Sequence, residues 1–189
     1  RGELNRRFLD LVSQRLNGKT INDCSIKIAT LKKHQETKVG ADIAGVVEII
    51  RGANSISKAF LAQSKVGSTF VGRGGQSFVS TSSKDLLRQT NDMLALSSDS
   101  FVFIYSKHAG ISCVPAFQVK LGNSNTIDTE RYPYHTFGKF FEEFFKCFIG
   151  DHLISPTALN AKDLEDYADK LKAQSVLKIS VTLKDIATK

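Results

Sequence analysis

Little in this chain can cross-link it. It has three cysteines, Cys24, Cys113 and Cys147, odd in number, widely spaced and without a CxxC pair. That speaks against a disulfide framework and the usual zinc-ligand spacing, and it points to a reducing compartment, the cytoplasm. Proline is scarce too: 3 Pro beside 13 Gly exclude collagen-like or Pro-rich architecture. No apolar run approaches the ~20 residues that a membrane span needs, so no membrane partner is expected. No repeat recurs at solenoid or propeller periods. The chain opens Arg1-Gly2-Glu3, with no starting Met and no apolar leader, and reads as one domain of a longer protein.

What is present is globular composition. Of 189 residues, 41% are hydrophobic and 24% charged, which suits an ordered domain and not a disordered chain. A chain of this length hides roughly 70% of its unfolded surface, enough for a sizeable core. Lys plus Arg number 26 against 19 Asp plus Glu, a net +7 that favours an anionic partner.

Apolar spacing divides the chain into elements. Leu4, Phe8, Leu9, Val12 and Leu16 recur at helical intervals and predict a helix over 3–17, stopped at Asn17-Gly18. A strand holding Ile26, Ile28 and Leu31 runs to about Lys33, and a polar turn follows over 36–40. Ala41 to Ile50 is apolar on both faces, as a central strand is. After a turn at Gly52-Ala53-Asn54-Ser55, Lys58 to Val66 forms a third strand. Residues 67–83 are rich in Gly and Ser and read as a mobile loop. Ser82-Ser83-Lys84-Asp85 resembles a helix start, and the helix reaches about Leu96. Phe101 to Tyr105 and Ile111 to Val119 are further strands around a turn at 107–110, and 122–135 is a polar loop. Phe137, Phe140, Phe141, Phe144, Phe145 and Phe148 mark a helix over 136–149, whose stripe reads as core, with a dimer or domain contact as the lesser reading. Leu164, Tyr167, Ala168 and Leu171 mark another helix, and Val176 to Leu183 a last strand. This order predicts an α/β or α+β fold, a mixed central sheet flanked by helices, with 1–189 one domain: a core over 1–105 and additional elements over 106–189.

Chemistry concentrates in two strands. Asp42 is an acid at the head of an apolar strand, where a carboxylate is costly unless paired or metal-bound. In the next strand Gln63 and Lys65 share the face of Leu61, polar where core is expected. A hairpin brings carboxylate, amide and ammonium together, a set suited to phosphodiester hydrolysis. Mg²⁺ takes one or two carboxylates with waters and substrate phosphate, and it lowers the pKa of a bound water. A lysine beside it steadies the charge that develops on phosphate.

In these residues the chain resembles the PD-(D/E)XK, or restriction-endonuclease-like, nuclease superfamily. Asp42 matches the first acid, and Gln63-Ser64-Lys65 matches (D/E)-X-K with Gln in place of the second acid and Ala41 in place of the proline. The resemblance spans about residues 1–105 and implies a restriction-endonuclease-like sheet with Asp42, Gln63 and Lys65 as catalytic residues. It also implies Mg²⁺, or Mn²⁺ in its place, held by Asp42 and Gln63, and DNA as substrate. A prokaryotic restriction or anti-phage defence system is the setting it suggests. The missing charge makes a further acid desirable. Glu3 is the first candidate, since nucleases of this fold often place a metal-binding Glu on the first helix; a helix-dipole role is its plainer reading. Glu36 is a rim candidate with His34. Glu48 lies ~20 Å along the strand from Asp42, too far for one site. Gln89 shares a helix face with Leu86 and Met93 and points inward; some exonuclease-like members carry a Gln there, followed by a Tyr where this chain has Met93, and a core Gln is its plainer reading.

Rival readings remain. The Gly67–Gly75 stretch lacks the Lys-Ser/Thr of a phosphate loop and is not one; with Lys65 and Arg73 it offers either a DNA-backbone contact or a plain linker. His34, His108, His135 and His152 show no paired metal spacing. A catalytically degenerate member of the fold, binding nucleic acid or protein, is one alternative. A dimerising or interaction module built on the Phe helix is another.

Overall fold

The structure, a computed structural model, describes residues 2–21, 24–32, 41–72, 77–146, 149–154 and 161–184. The described residues form a mixed α/β arrangement. Helix α1 (Gly2–Leu16) is followed by β1 (Thr20–Ile21), β2 (Cys24–Lys32), β3 (Ile43–Arg51) and β4 (Asn54–Val66). Strands β5 (Ser68–Val71) and β6 (Ser77–Ser82) precede α2 (Leu86–Leu94), β7 (Ser100–Ser106) and β8 (Gly110–Pro115). Then come α3 (Ala116–Gly122), β9 (Thr126–Asp128), β10 (His135–Thr136), α4 (Phe137–Phe145), α5 (Ala161–Lys170) and β11 (Ser175–Leu183).

Eight strands make the main sheet in the order β1-β2-β11-β3-β4-β7-β8-β10. β3 and β4 are an antiparallel hairpin, and β4 runs parallel to β7. β11 fills the middle, antiparallel to β2 and parallel to β3. The two edge strands are each two residues long and pair with only two residues of β2 and of β8.

Alternation sends side chains to two layers. On one face Ile43, Val47, Phe60, Ala62 and Phe103 meet Phe8 and Leu9 of α1 and the phenylalanines of α4. The Phe60 ring stands edge-on to Phe140 and Phe144, with centroids 4.9 and 5.0 Å away. Such pairs contribute about 0.5–1.5 kcal/mol beyond their burial. The Phe stripe is thus mainly core, although an apolar groove of 230 Å³ remains between α1 and α4, lined by Val12, Leu16, Phe137, Phe141 and Phe145 among others. On the opposite face Ala44, Val46 and Leu61 meet α5, while Val102, Ile104 and Val114 meet α2 and α3. Glu48 pairs with Lys178 of β11 at 2.8 Å and also accepts from Ser180.

Four readings of the sequence need correction. The segment 67–83, read as a mobile loop, holds β5 and β6, which form a three-stranded sheet with β9. Its Ser and Thr hide the alternation: Val79 and Thr81 are buried while Phe70, Ser68 and Ser82 face out. The strand expected over 111–119 stops at Pro115, which has no N–H for a ladder and instead caps α3, where Ala116 and Val119 recur at helical spacing. The loop expected over 122–135 contains β9, paired with β6. The Ser82–Asp85 helix start is also capped differently: no local side chain does it, and Leu87 N–H donates to Asn125 Oδ1. Glu36, His34, Arg73, Cys147 and Phe148 lie outside the described residues.

Candidate active site

The β3–β4 hairpin ends in register at Ile43 and Ala62. Asp42 stands one residue before β3, and its own N–H donates to Ala62 O at 2.9 Å. Its carboxylate reaches across to β4. Oδ2 accepts from Ser64 N at 2.8 Å and from Gln63 Nε2 at 2.5 Å. Asp42 is only 6% exposed, so a backbone amide and a side-chain amide offset much of the cost of burying it.

Gln63 is 1% exposed, and while its Nε2 serves Asp42, its Oε1 is buried with no hydrogen-bond partner. Lys65 follows two positions along the same face, also buried, and its Nζ donates to Gln89 Oε1 at 2.6 Å. Gln89 reaches inward from α2, between buried Leu86 and Met93, as helical spacing predicts. The chain therefore brings Asp42, Gln63, Lys65 and Gln89 into two hydrogen-bonded pairs, anchored two residues apart on one face of β4.

Ser64 faces the opposite layer. Its hydroxyl donates to Asn5 Oδ1 on α1 at 2.6 Å, and Asn5 Nδ2 is buried without a partner. Sequence reasoning missed Asn5. The signal was there: it lies three and four residues before Phe8 and Leu9, a polar residue on an apolar helix face. Tyr105 completes this side. Burial pushes its hydroxyl pKa up, the nearby Ser64 hydroxyl works against that, and the negative charge of Asp42 adds to it. Burial likewise pushes the Cys113 thiol up.

Glu3 is not brought to this cluster. Its carboxylate is 73% exposed and accepts from Arg7 Nη2 at 2.7 Å. The reason is helical geometry: Glu3 lies about 200° around α1 from Asn5, the residue that meets β4. Glu48 is engaged with Lys178. His152 Nδ1 contacts Ser57 O at 2.7 Å. Among the described residues no three His, Cys, Asp or Glu side chains gather as a metal centre, and no helix is long and apolar enough to cross a membrane.

No family model, curated protein or solved structure matches the chain. The site's own geometry therefore carries the functional reading.

Proposed function

We propose that the chain is a metal-dependent DNA endonuclease of the PD-(D/E)XK kind, serving as the nuclease domain of a prokaryotic restriction or anti-phage system. One observation carries this reading: the buried, partnerless Gln63 Oε1 beside the Asp42 carboxylate, with Lys65 on the same strand face. A buried acceptor left unpaired costs roughly 1–3 kcal/mol, and a hard cation or its bound water is a donor that would relieve it. Amide and carboxylate oxygens are the ligand types Mg²⁺ and Mn²⁺ take, so the residues present fit the ion.

Asp42 and Gln63 would hold Mg²⁺, or Mn²⁺ in its place, and the bound ion would supply Lewis-acid polarisation of a phosphate oxygen. Ser64 N–H and Gln63 Nε2 orient the Asp42 carboxylate. Gln89 restrains the Lys65 ammonium, whose charge serves the phosphate or the attacking water. The net charge of +7 supplies affinity for the phosphate backbone that does not depend on sequence. Across the first 106 residues the order is α1, β1, β2, β3, β4, β5, β6, α2, β7, with the β3–β4 hairpin carrying Gln63 and Lys65 and Asp42 at its head.

Plasmid cleavage tests this. The parent should nick with Mg²⁺ or Mn²⁺ and not in EDTA. Asp42→Ala and Lys65→Ala should each lose about 100-fold or more in rate while circular dichroism shows them folded. Folded variants that cut at the parent rate would overturn the site.

A second reading rests on the Gln63–Asp42 hydrogen bond itself. It satisfies the carboxylate without a cation, and no third acid joins the pair among the described residues. That favours a catalytically degenerate member that binds nucleic acid or protein. DNA binding without cleavage in the same assay selects it.

A further inference from the structure

The small sheet has a buried face and an open one. Val79, Thr81 and Ile127 face inward and are 3%, 6% and 0% exposed. They pack with Ile104 of β7 and Leu86 of α2, the helix that carries Gln89. The sheet is also tied to the lysine strand, since Thr81 Oγ1 donates to Val66 O at 2.8 Å and a single residue, Gly67, joins β4 to β5. Its place beside Lys65 is therefore fixed.

The open face carries Ser68, Phe70, Phe78, Ser82, Thr126 and Asp128, by the register of the three strands. Phe70 and Phe78 are direct cross-strand partners. Their rings stack at 5.5 Å with 23° between planes, and Phe70 is 48% exposed. The inner face already supplies the core, so the exposed rings are not needed to fill one. From Ile49 to Lys84, the stretch that holds β5 and β6, the sequence has no Asp or Glu; its Lys58 and Lys65 are buried and engaged elsewhere. Asp128, the acid on this face, is paired with Arg131 at 3.7 Å, and Asp85 with Arg88 at 3.4 Å. Lys84 is exposed two residues past the end of β6.

We propose that this face is a stacking platform for unpaired bases, so that the substrate is single-stranded or locally unpaired DNA. The inference takes its polymer from the nuclease reading above and names the form of it that binds. Stacked rings offer a flat π surface that any base can cover. The hydroxyls of Ser68 and Ser82 and the ammonium of Lys84 offer donors to phosphate and sugar. A closed duplex keeps its base faces hidden and cannot use the rings. Pairing of Asp128 with Arg131 and of Asp85 with Arg88 tempers the negative charge a polyanion would meet there.

The chain contains no Trp, so Phe70→Trp installs a single reporter. The experiment uses the full chain in EDTA, where no cleavage is needed, and titrates thymidine oligonucleotides of about 12 nucleotides, within the span such surfaces cover. The single strand should quench the Trp fluorescence and a duplex of equal length should not. Phe70→Ala should weaken single-strand binding about 5- to 100-fold. Phe70→Leu, which keeps an apolar side chain but no π face, should lose affinity while melting like the parent; it decides the matter if the Ala variant loses its hairpin. Unquenched fluorescence in the folded Trp variant, equal quenching by duplex, or parent-like affinity of Phe70→Leu would each overturn the platform. Quenching without metal-dependent cleavage would leave the platform and remove the nuclease; cleavage without quenching would do the reverse.

Discussion

At the scale of single residues, Gln63 decides how the site behaves without metal. Its amide gives Asp42 a donor where the family pattern would put a second carboxylate. Gln63→Glu removes that donor and sets two buried acids in contact, which favours a shared proton or a cation between them. The variant should melt lower in EDTA by about 2 kcal/mol, or about 4–8 °C for a chain of this length. It should recover on adding Mg²⁺ as binding to the folded state draws the equilibrium. Thermal denaturation with and without Mg²⁺ reads both effects, and cleavage should survive. Gln63→Ala should show no metal-dependent shift and should cut poorly. Equal melting of Gln63→Glu and parent in EDTA would mean the two side chains do not share this contact. Asp42, Gln63, Lys65 and the inward Gln89 were legible because polar residues at apolar positions break a clear pattern. Asn5 was equally visible by that logic, yet a short amide among arginines on a helix draws less notice than a lysine in a strand. Glu3 misled because helix position alone does not give azimuth.

Elements tell a different story about legibility. Helices and central strands with apolar periodicity, such as α1, β3 and α4, follow from spacing. β5 and β6 do not, because Ser and Thr serve both faces of a small sheet and the Gly-rich setting reads as a loop. Gly67 marks the join between β4 and the small sheet. A Cβ there would lie 2.5 Å from Ile104 Cγ2 and 2.7 Å from Val79 Cγ1. Gly67→Ala should therefore push the small sheet off β7 and cost about 1–3 kcal/mol, as overpacking does. Urea denaturation measures the loss. Local hydrogen exchange should place it in β5 and β6 first, before the main sheet opens. A variant as stable as the parent would show that the small sheet can move without penalty. Strand identity also does not reveal strand neighbours: the apolar positions Val176, Leu177, Ile179 and Val181 suit any central slot, and only the structure shows Lys178 and Ser180 meeting Glu48 of β3.

For the molecule as a whole, burial of ionisable groups sets its tolerance of alkali. Burial raises the pKa of Cys113 from 9.0 and those of Tyr105 and Tyr167 from 10.0. The folded chain therefore keeps these protons at pH values where the unfolded chain releases them. Stability is fully present below about pH 9 and declines as pH rises above it, because the unfolded state then binds fewer protons. Denaturation midpoints measured from pH 7 to 11 should be level at first and then fall. Tyr105→Phe should make the fall above pH 10 shallower, and an identical slope would contradict the burial of that hydroxyl.

The place of β11 also governs when this protein comes into being. Glu48 of β3 and Ser180 of β11 are 132 residues apart in the chain and touch in the sheet. Until residue 183 has been synthesised, β2 and β3 have no strand between them, and the acid-bearing strand stands as an open edge. Such long-range closure slows folding. A ribosome part-way along the message thus carries the β3–β4 hairpin with one side of β3 unpaired, and the full sheet order waits for β11. For a chain whose proposed activity would cut DNA, translation itself becomes a timer: the sheet beneath the site closes only when β11 joins it.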